Sequence, residues 1–293
     1  MTPARWFEDS EWSLLKITGS DRVDFFHRLT TNQVPKAGEP LVHSFFLSVN
    51  AKVLAEFWVG AEEESLSLFV PKAQKEAAKE NIDRYHFGEK IRLTEPEGRL
   101  FVLLAEPSVI EELAPLCAYA AKPDPRYGAE ATWFFVETEG VETFLDRVNA
   151  LGAPLEENES ENLRLATGRP RYGHDYTEET LFLEVAQDGD FSEKKGCYPG
   201  QEIVARVLHR GRLQKFLRAF ESEGAVPVGW TLAQEGKELA RVTTSVPQPD
   251  GGSRGLLYVR REIGEDGARL NAPEGDVSLT VIPRKLELPS GEP

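Results

Sequence analysis

The stretch that most limits how this chain can fold is Lys194-Lys195-Gly196-Cys197-Tyr198-Pro199-Gly200-Gln201-Glu202, continued by Ile203-Val204-Ala205-Arg206-Val207-Leu208-His209-Arg210-Gly211-Arg212. Two glycines and a proline in quick succession force a tight turn, after which Ile203, Val204, Val207 and Leu208 recur at helical spacing. A loop therefore feeds a helix. Cys197 falls at or just before the helix N-terminus, where unpaired backbone N–H groups favour a thiolate or an anionic ligand. Between residues 194 and 218 seven lysines and arginines face a single acid, Glu202, in a chain with 34 basic and 49 acidic residues. Such a local excess of positive charge serves either an anion site or acidic neighbours within the chain.

A chain of 293 residues exceeds the roughly 250 at which single cores stop growing, so two or more domains are expected. No apolar run approaches the roughly 20 residues of a membrane span, and the first residues do not read as a signal peptide. The expectation is a soluble, cytoplasmic protein without a membrane partner. A net charge of −15 argues against general nucleic-acid binding, which depends on neutralising phosphates. Cys117 and Cys197 cannot build a disulfide framework, and no Cys or His spacing suggests a metal site.

Along the chain, strand and helix patterns alternate. Trp12 to Ile17 reads as a strand, and Ser20 as the cap of a helix whose face is Val23, Phe26, Leu29 and Thr30, with Phe25 beside it. Val42 to Val49 and Val53 to Val59 form a strand pair turned at Asn50-Ala51-Lys52. His27 and His43 have no local acid or nucleophile partner and read as surface or half-buried residues. Ser65 to Val70, then a helix from Lys72 to Tyr85, then Leu100 to Ala105 and a helix from Pro107 to Cys117 continue the rhythm; Cys117 reads as packing. Lys122 to Gly128 is a connector, followed by a strand from Ala131 to Glu137 and a helix from Val141 to Leu151. Helices on one side of antiparallel or mixed sheets fit this order, an α+β fold. An acidic run opens another helix, which ends at Gly168. From Pro227 onward only short strands remain (Gly229 to Gln234, Lys237 to Thr244, Gly255 to Val259, Val277 to Val281), a small β-barrel or sandwich with a frayed tail at Glu287 to Pro293. The composition changes near residue 220, giving a first region over 1–220 and a barrel over 221–293.

Three places carry chemistry. A lysine such as Lys195 and the helix terminus can lower the pKa of the Cys197 thiol, which then attacks an electrophile or meets a soft metal; the bland alternative is a buried small hydrophobe. Glu184, inside the apolar run Leu181-Phe182-Leu183-Glu184-Val185, lies either on the wet face of a strand or paired in a pocket. A carboxylate of this kind can accept two hydrogen bonds from an amino-pyrimidinone edge, while arginines hold a carboxylate tail. Glu56 acts as an acid or base only if the fold turns it inward; locally it is an ordinary exposed strand residue. Gly168-Arg169-Pro170-Arg171-Tyr172-Gly173-His174-Asp175 is a rigid basic loop, either functional or a structural turn.

Lys195 to Glu202 resembles the signature of the YgfZ family of folate-binding proteins, relatives of the T-protein of the glycine cleavage system. Gly19-Ser20-Asp21 through Leu29-Thr30-Thr31-Asn32, the turn at Asn50-Ala51-Lys52, and Gly168 to Asp175 with Glu184 resemble the same family in order. The resemblance implies a three-domain cloverleaf around a central channel, with two intertwined α+β subdomains over 1–220 and a small β-barrel over 221–293. It further implies tetrahydrofolate or a one-carbon derivative as cofactor, and iron–sulfur client or assembly proteins as partners. Site residues implied in this way are Cys197, Lys195 and Glu56 for chemistry, and Glu184, Arg171, Tyr172, Asp175, Tyr198, Gln201, Arg212 and Arg218 for the cofactor. In related T-proteins an aspartate after a Gly-Gly turn assists methylene transfer. Here Glu56 is its nearest counterpart, and Ala51 stands where a glycine is usual. The implied role is a folate-dependent accessory factor for assembly or repair of iron–sulfur proteins, with a T-protein-like one-carbon transferase as the alternative.

Overall fold

The structure, a computed structural model, describes residues 3–119, 122–211, 213–271 and 278–284. In chain order the elements are β1 Ala4–Glu8, β2 Trp12–Thr18, α1 Arg22–His27, β3 Val42–Leu47, β4 Val53–Ala61, β5 Ser65–Pro71, α2 Lys75–Tyr85, β6 Arg92–Thr94, β7 Gly98–Leu104, α3 Pro107–Leu113, β8 Lys122–Pro123, β9 Ala131–Glu137, α4 Val141–Leu151, β10 Gly152–Pro154 and α5 Glu157–Ala166. Then follow α6 Phe182–Val185, α7 Gln201–Arg210, β11 Lys215–Ser222, β12 Thr231–Gln234, β13 Lys237–Pro247, β14 Ser253–Arg260, β15 Arg269–Asn271 and β16 Ser278–Ile282. The chain forms two compact units, one of Met1–Ser48, Leu54–Ser160 and Gly189–Pro199, the other of Val49–Val53, Glu161–Asp188 and Gly200–Pro293. No helix among the described residues is long and apolar enough to cross a membrane.

The first unit holds two five-stranded sheets, in the orders β3-β4-β5-β2-β6 and β10-β1-β7-β9-β8. The second of these is mixed, because β1 runs parallel to β10 and antiparallel to β7. Strand β5 is buried along its whole length, and its two-residue period explains how. Leu66, Leu68 and Val70 face a core shared with Phe25, Phe26, Ala78 and Ile82 from α1 and α2. Phe69 points the other way, its ring 3.8 Å from that of Trp133 in β9. The outer face of the second sheet packs Phe101, Leu103, Phe134 and Val136 against Val109, Leu113, Phe144 and Val148 of α3 and α4. Each sheet thus has helices on one face only, as the alternating pattern predicts.

Three local expectations change. Helix α1 is only six residues long, so its burial does not follow a full helical period: Phe25 and Phe26 are buried while Val23 is 44% exposed. Ser20 bonds the Asp21 carboxylate and caps no N–H. Strand β1 has no counterpart in the sequence reading, because its partners lie far away in the chain. The connector around residue 126 hides a buried ion cluster, in which Arg126 bridges Asp124 at 2.7 Å and Asp9 at 2.9 Å and lies 4.3 Å over the Trp12 ring. Cys117, packed against the outer core, has its thiol pushed up to about 11 by burial.

In the second unit six strands follow the order β12-β13-β14-β11-β16-β15 in a near-closed antiparallel barrel. Its core draws Phe220, Val242, Leu257, Leu270, Leu279 and Leu232 from six different strands. Glu235 and Gly236 join β12 to β13 with φ of 53° and 77°, the two positive angles that a type I′ hairpin needs. The run Leu181 to Val185 is not a strand. Residues Phe182–Val185 form one helical turn, all four buried, which presses on β11.

Ala51 adopts φ 57° while 3% exposed, in the left-handed region that disfavours a Cβ. It is held there because its carbonyl accepts from Phe182 N at 2.9 Å and Val53 N donates to Thr180 O at 3.1 Å. Ala51→Gly relieves this strain and should stabilise the chain by about 0.5–1 kcal/mol in urea unfolding, less than the full penalty because glycine also gains entropy when unfolded.

Candidate functional site

Cys197 is exposed, three residues before Gly200, whose φ of 82° starts α7 at Gln201. The loop bearing it is strapped down by the Thr30-Thr31-Asn32 segment after α1. Thr31 Oγ1 donates to Asp190 O at 2.8 Å, Ser192 N donates to Thr31 O at 3.0 Å, and Asn32 Nδ2 donates to Gly189 O. Lys195 is buried, and its ammonium donates to the carbonyls of His27 (2.6 Å) and Thr30 and reaches Thr30 Oγ1 at 3.3 Å. Burial pulls its pKa down to about 8. The ammonium lies 5.2 Å from the Tyr198 ring, whose hydroxyl burial pushes up to about 12. The geometry of Lys195 is that of a group closing the C-terminal end of α1, where carbonyls lack partners.

Glu56 is turned inward, 4% exposed, contrary to its local pattern as an exposed strand residue. The physical reason is that both faces of β4 are covered. Glu56 Oε2 lies 3.3 Å from His43 Nε2, and His43 Nδ1 lies 2.8 Å from Asp190 Oδ1. His43 is 4% exposed and Asp190 1%. The imidazole, expected at the surface or half-buried, is instead buried: it stacks on Trp58 with centroids 4.5 Å apart and meets the edge of Phe45 at 4.6 Å. Its partners are 13 and 147 residues away in sequence, so no local motif announces them.

In the second unit Glu184 is 9% exposed. Among the described residues no hydrogen bond reaches its carboxylate; Lys215 Nζ stands 3.9 Å away, itself 4.7 Å over the Tyr258 ring. Burial raises the Glu184 pKa, and Lys215 lowers it in part. The alternation of β11 decides which cation can meet Glu184. Lys215 and Leu217 lie on one face, whereas Phe216, Arg218 and Phe220 share the face that lines the barrel core. Arg218 is therefore turned away from Glu184 and pairs with Asp266 at 3.6 Å. Lys215 is therefore the cation that strand alternation brings toward Glu184.

The remaining candidates are fixed within the second unit. The Asp175 carboxylate accepts from Thr243 Oγ1 at 2.5 Å, Thr244 Oγ1 at 2.7 Å and Arg171 N at 2.8 Å, with Arg164 at 3.4 Å. The Arg171 side chain pairs with Glu161. Tyr172 donates to Glu178 at 2.9 Å, and its hydroxyl is pushed up to about 12 by burial and that carboxylate. Arg284, which sequence reasoning missed, is buried and donates to the carbonyls of Gly168, Leu217 and Val185, tying β11, α6 and the Gly168 turn together. Gln201 opens α7, and Arg212 lies outside the described residues.

Two outcomes follow. Lys195→Met should lose about 1.5–3 kcal/mol of stability and speed hydrogen exchange across residues 27–31 and 189–199 ahead of the rest of the chain. Glu184 binds its proton more tightly folded than unfolded, so its ionisation costs stability as pH rises above the ordinary carboxylate range. Glu184→Gln should therefore raise Tm relative to the parent at neutral and alkaline pH, and the gain should vanish in acid, where both side chains are neutral.

The chain matches no protein-family model. A protein of Arabidopsis thaliana named as a putative chloroplastic transferase is 22% identical over 297 residues, covering 92% of this chain and 68% of that protein. Glycine cleavage system aminomethyltransferase T from Bartonella henselae superposes with a TM-score of 0.78 at 15% identity, over 98% of this chain and 88% of that one. At such identity the likeness concerns architecture: the chain has the α+β fold of aminomethyltransferase T.

Proposed function

We propose that the chain binds tetrahydrofolate through Glu184 and acts as a tetrahydrofolate-dependent one-carbon transferase, with Glu56 as its acid–base group. The observation that carries this reading is the state of Glu184: buried, pushed toward its neutral form by desolvation, and without a hydrogen-bond donor among the described residues. A buried carboxylate without donors is costly, and a ligand edge with two N–H groups offsets that cost. The amino-pyrimidinone of a folate presents such an edge, and Lys215 stands where a charge on the same ligand can be met. Bound tetrahydrofolate supplies the nitrogen to which a one-carbon unit is attached. The fold shared with the Bartonella henselae aminomethyltransferase, and the transferase name of the Arabidopsis thaliana relative, support the same class.

A second reading, an accessory role for iron–sulfur proteins with Cys197 as a reactive thiol, is favoured by the exposed thiol on a loop whose backbone is pinned on both sides of Asp190. A pinned loop presents its side chain at little entropic cost.

Calorimetric titration with tetrahydrofolate should give saturable binding that is lost in Glu184→Ala and kept in Cys197→Ser. Because the ionised carboxylate is the form that accepts both bonds, affinity should weaken as pH falls through the raised range of Glu184. No binding by the intact chain would sink both readings. Tetrahydrofolate-dependent transfer that survives Cys197→Ser favours the transferase; its loss there, with binding intact, favours the thiol reading.

A further inference from the structure

Glu56, His43 and Asp190 are three ionisable side chains buried together, and their proton count is constrained. Both ring nitrogens face carboxylate oxygens, at 2.8 Å on the Asp190 side and 3.3 Å on the Glu56 side. Two oxygens and two nitrogens make two hydrogen bonds only if two protons are shared among the three groups. The shorter contact assigns one of them to Nδ1, donated to Asp190, the arrangement by which a carboxylate fixes an imidazole tautomer. For the 3.3 Å contact to be a hydrogen bond, a second proton must lie between Nε2 and Glu56 Oε2, and it then has two possible owners. Either the Glu56 carboxyl donates to a neutral ring, or an imidazolium donates to the Glu56 carboxylate.

We infer that His43 is the proton partner of Glu56, oriented by Asp190, and so a positioning residue for the acid–base chemistry of Glu56; its catalytic consequence rests on the transferase reading above. In the forward step the Glu56 Oε2–H bond breaks and an Nε2–H bond forms, leaving a Glu56 carboxylate that can accept a proton from a substrate. The reverse step returns the proton to Oε2. Net charge on the three groups is −1 in both arrangements, so the transfer buries no additional charge, which a site this dry would penalise. Titratable groups facing the ring include Glu56 from β4 and Asp190 from the loop at 189–199, while Trp58 stacks on the ring and Phe45 meets its edge. Asp190 is itself held through its carbonyl by Thr31, so the strap on the Cys197 loop also sets the ring.

The test uses the full chain labelled with ¹⁵N-histidine. Only five histidines are present, and His43→Gln identifies the signal. Expected across about pH 6 to 8 is a protonated Nδ1 and an Nε2 shift between those of bare and protonated nitrogen. Glu56→Gln, which can donate but not share a proton, should move Nε2 to the bare value. A wild-type Nε2 that titrates like a solvent-exposed imidazole, or that ignores Glu56→Gln, overturns the inference. In the transfer assay His43→Gln should lower kcat about 10²-fold and shift the pH profile, with tetrahydrofolate affinity retained as evidence of folding; unchanged kcat and profile would also overturn it. Absence of transfer by the wild-type chain would refute the transferase reading instead, and the nitrogen shifts would still decide for or against the shared proton.

Discussion

The hydroxyl of Thr31 is the interaction on which the first unit's candidate residues depend. It is fully buried, donates to Asp190 O, accepts from Phe45 N at 3.0 Å and contacts Ser44 Oγ at 3.2 Å. That fills the one donor and two acceptor positions a hydroxyl offers. Through it β3 and the returning segment 189–199 share one point of attachment, and two consequences follow. The Asp190 carboxylate is set against His43, and the following residues are delivered as a pinned loop ending in Lys195 and exposed Cys197. The Thr30-Thr31-Asn32 run, unremarkable as the end of a short helix, is there to make backbone contacts with a segment some 160 residues away.

Buried charge in this protein separates into satisfied and unsatisfied cases. Arg126 has two aspartates, Arg284 three carbonyls, Lys195 two carbonyls and a hydroxyl, and Asp175 four donors. Each is a joint between elements, and each has hydrogen-bond or ion-pair partners for its charge. Glu184 does not fit that pattern. A carboxyl kept nine-tenths buried, with no donor among the described residues, lowers stability, and it is retained on a one-turn helix whose other members are apolar and buried. Within one molecule, then, Asp175 is a saturated joint between elements, while Glu184 has only Lys215 near it, at 3.9 Å.

Much of the fold is legible in the sequence because it rests on short-range periodicity. The alternation of β5, β7 and β9, the helices α2 and α4, the positive-φ turns at Gly200 and at Glu235-Gly236, and the short strands of the barrel all follow from local pattern. What was not legible depends on pairing across long separations. Strand β1 has no strong pattern until β7 and β10 flank it, Arg126 looks like a residue in a connector until Asp9 arrives, and Glu56 looks exposed until β4 is covered on both faces. The apolar run around Glu184 is too short for period alone to separate a strand from a buried helical turn, and the helix was the outcome. Among the candidate residues, no local pattern announces that the Lys195 ammonium meets three acceptors after α1, or that Lys215 is the cation beside Glu184.

Ala51 and Glu56 show how the two departures from the related T-protein pattern differ in kind. Ala51 keeps the left-handed turn that a glycine would make and bears the strain, because Phe182 and Thr180 fix the backbone on both sides. Glu56 is one methylene longer than an aspartate, and that added reach is used: its carboxylate is within 3.3 Å of a histidine that is already committed to Asp190. A shorter side chain from the same backbone position would end farther from the ring. The length of the side chain at position 56 therefore decides which buried group its carboxylate meets, and His43, itself bonded to Asp190, lies within the reach of a glutamate.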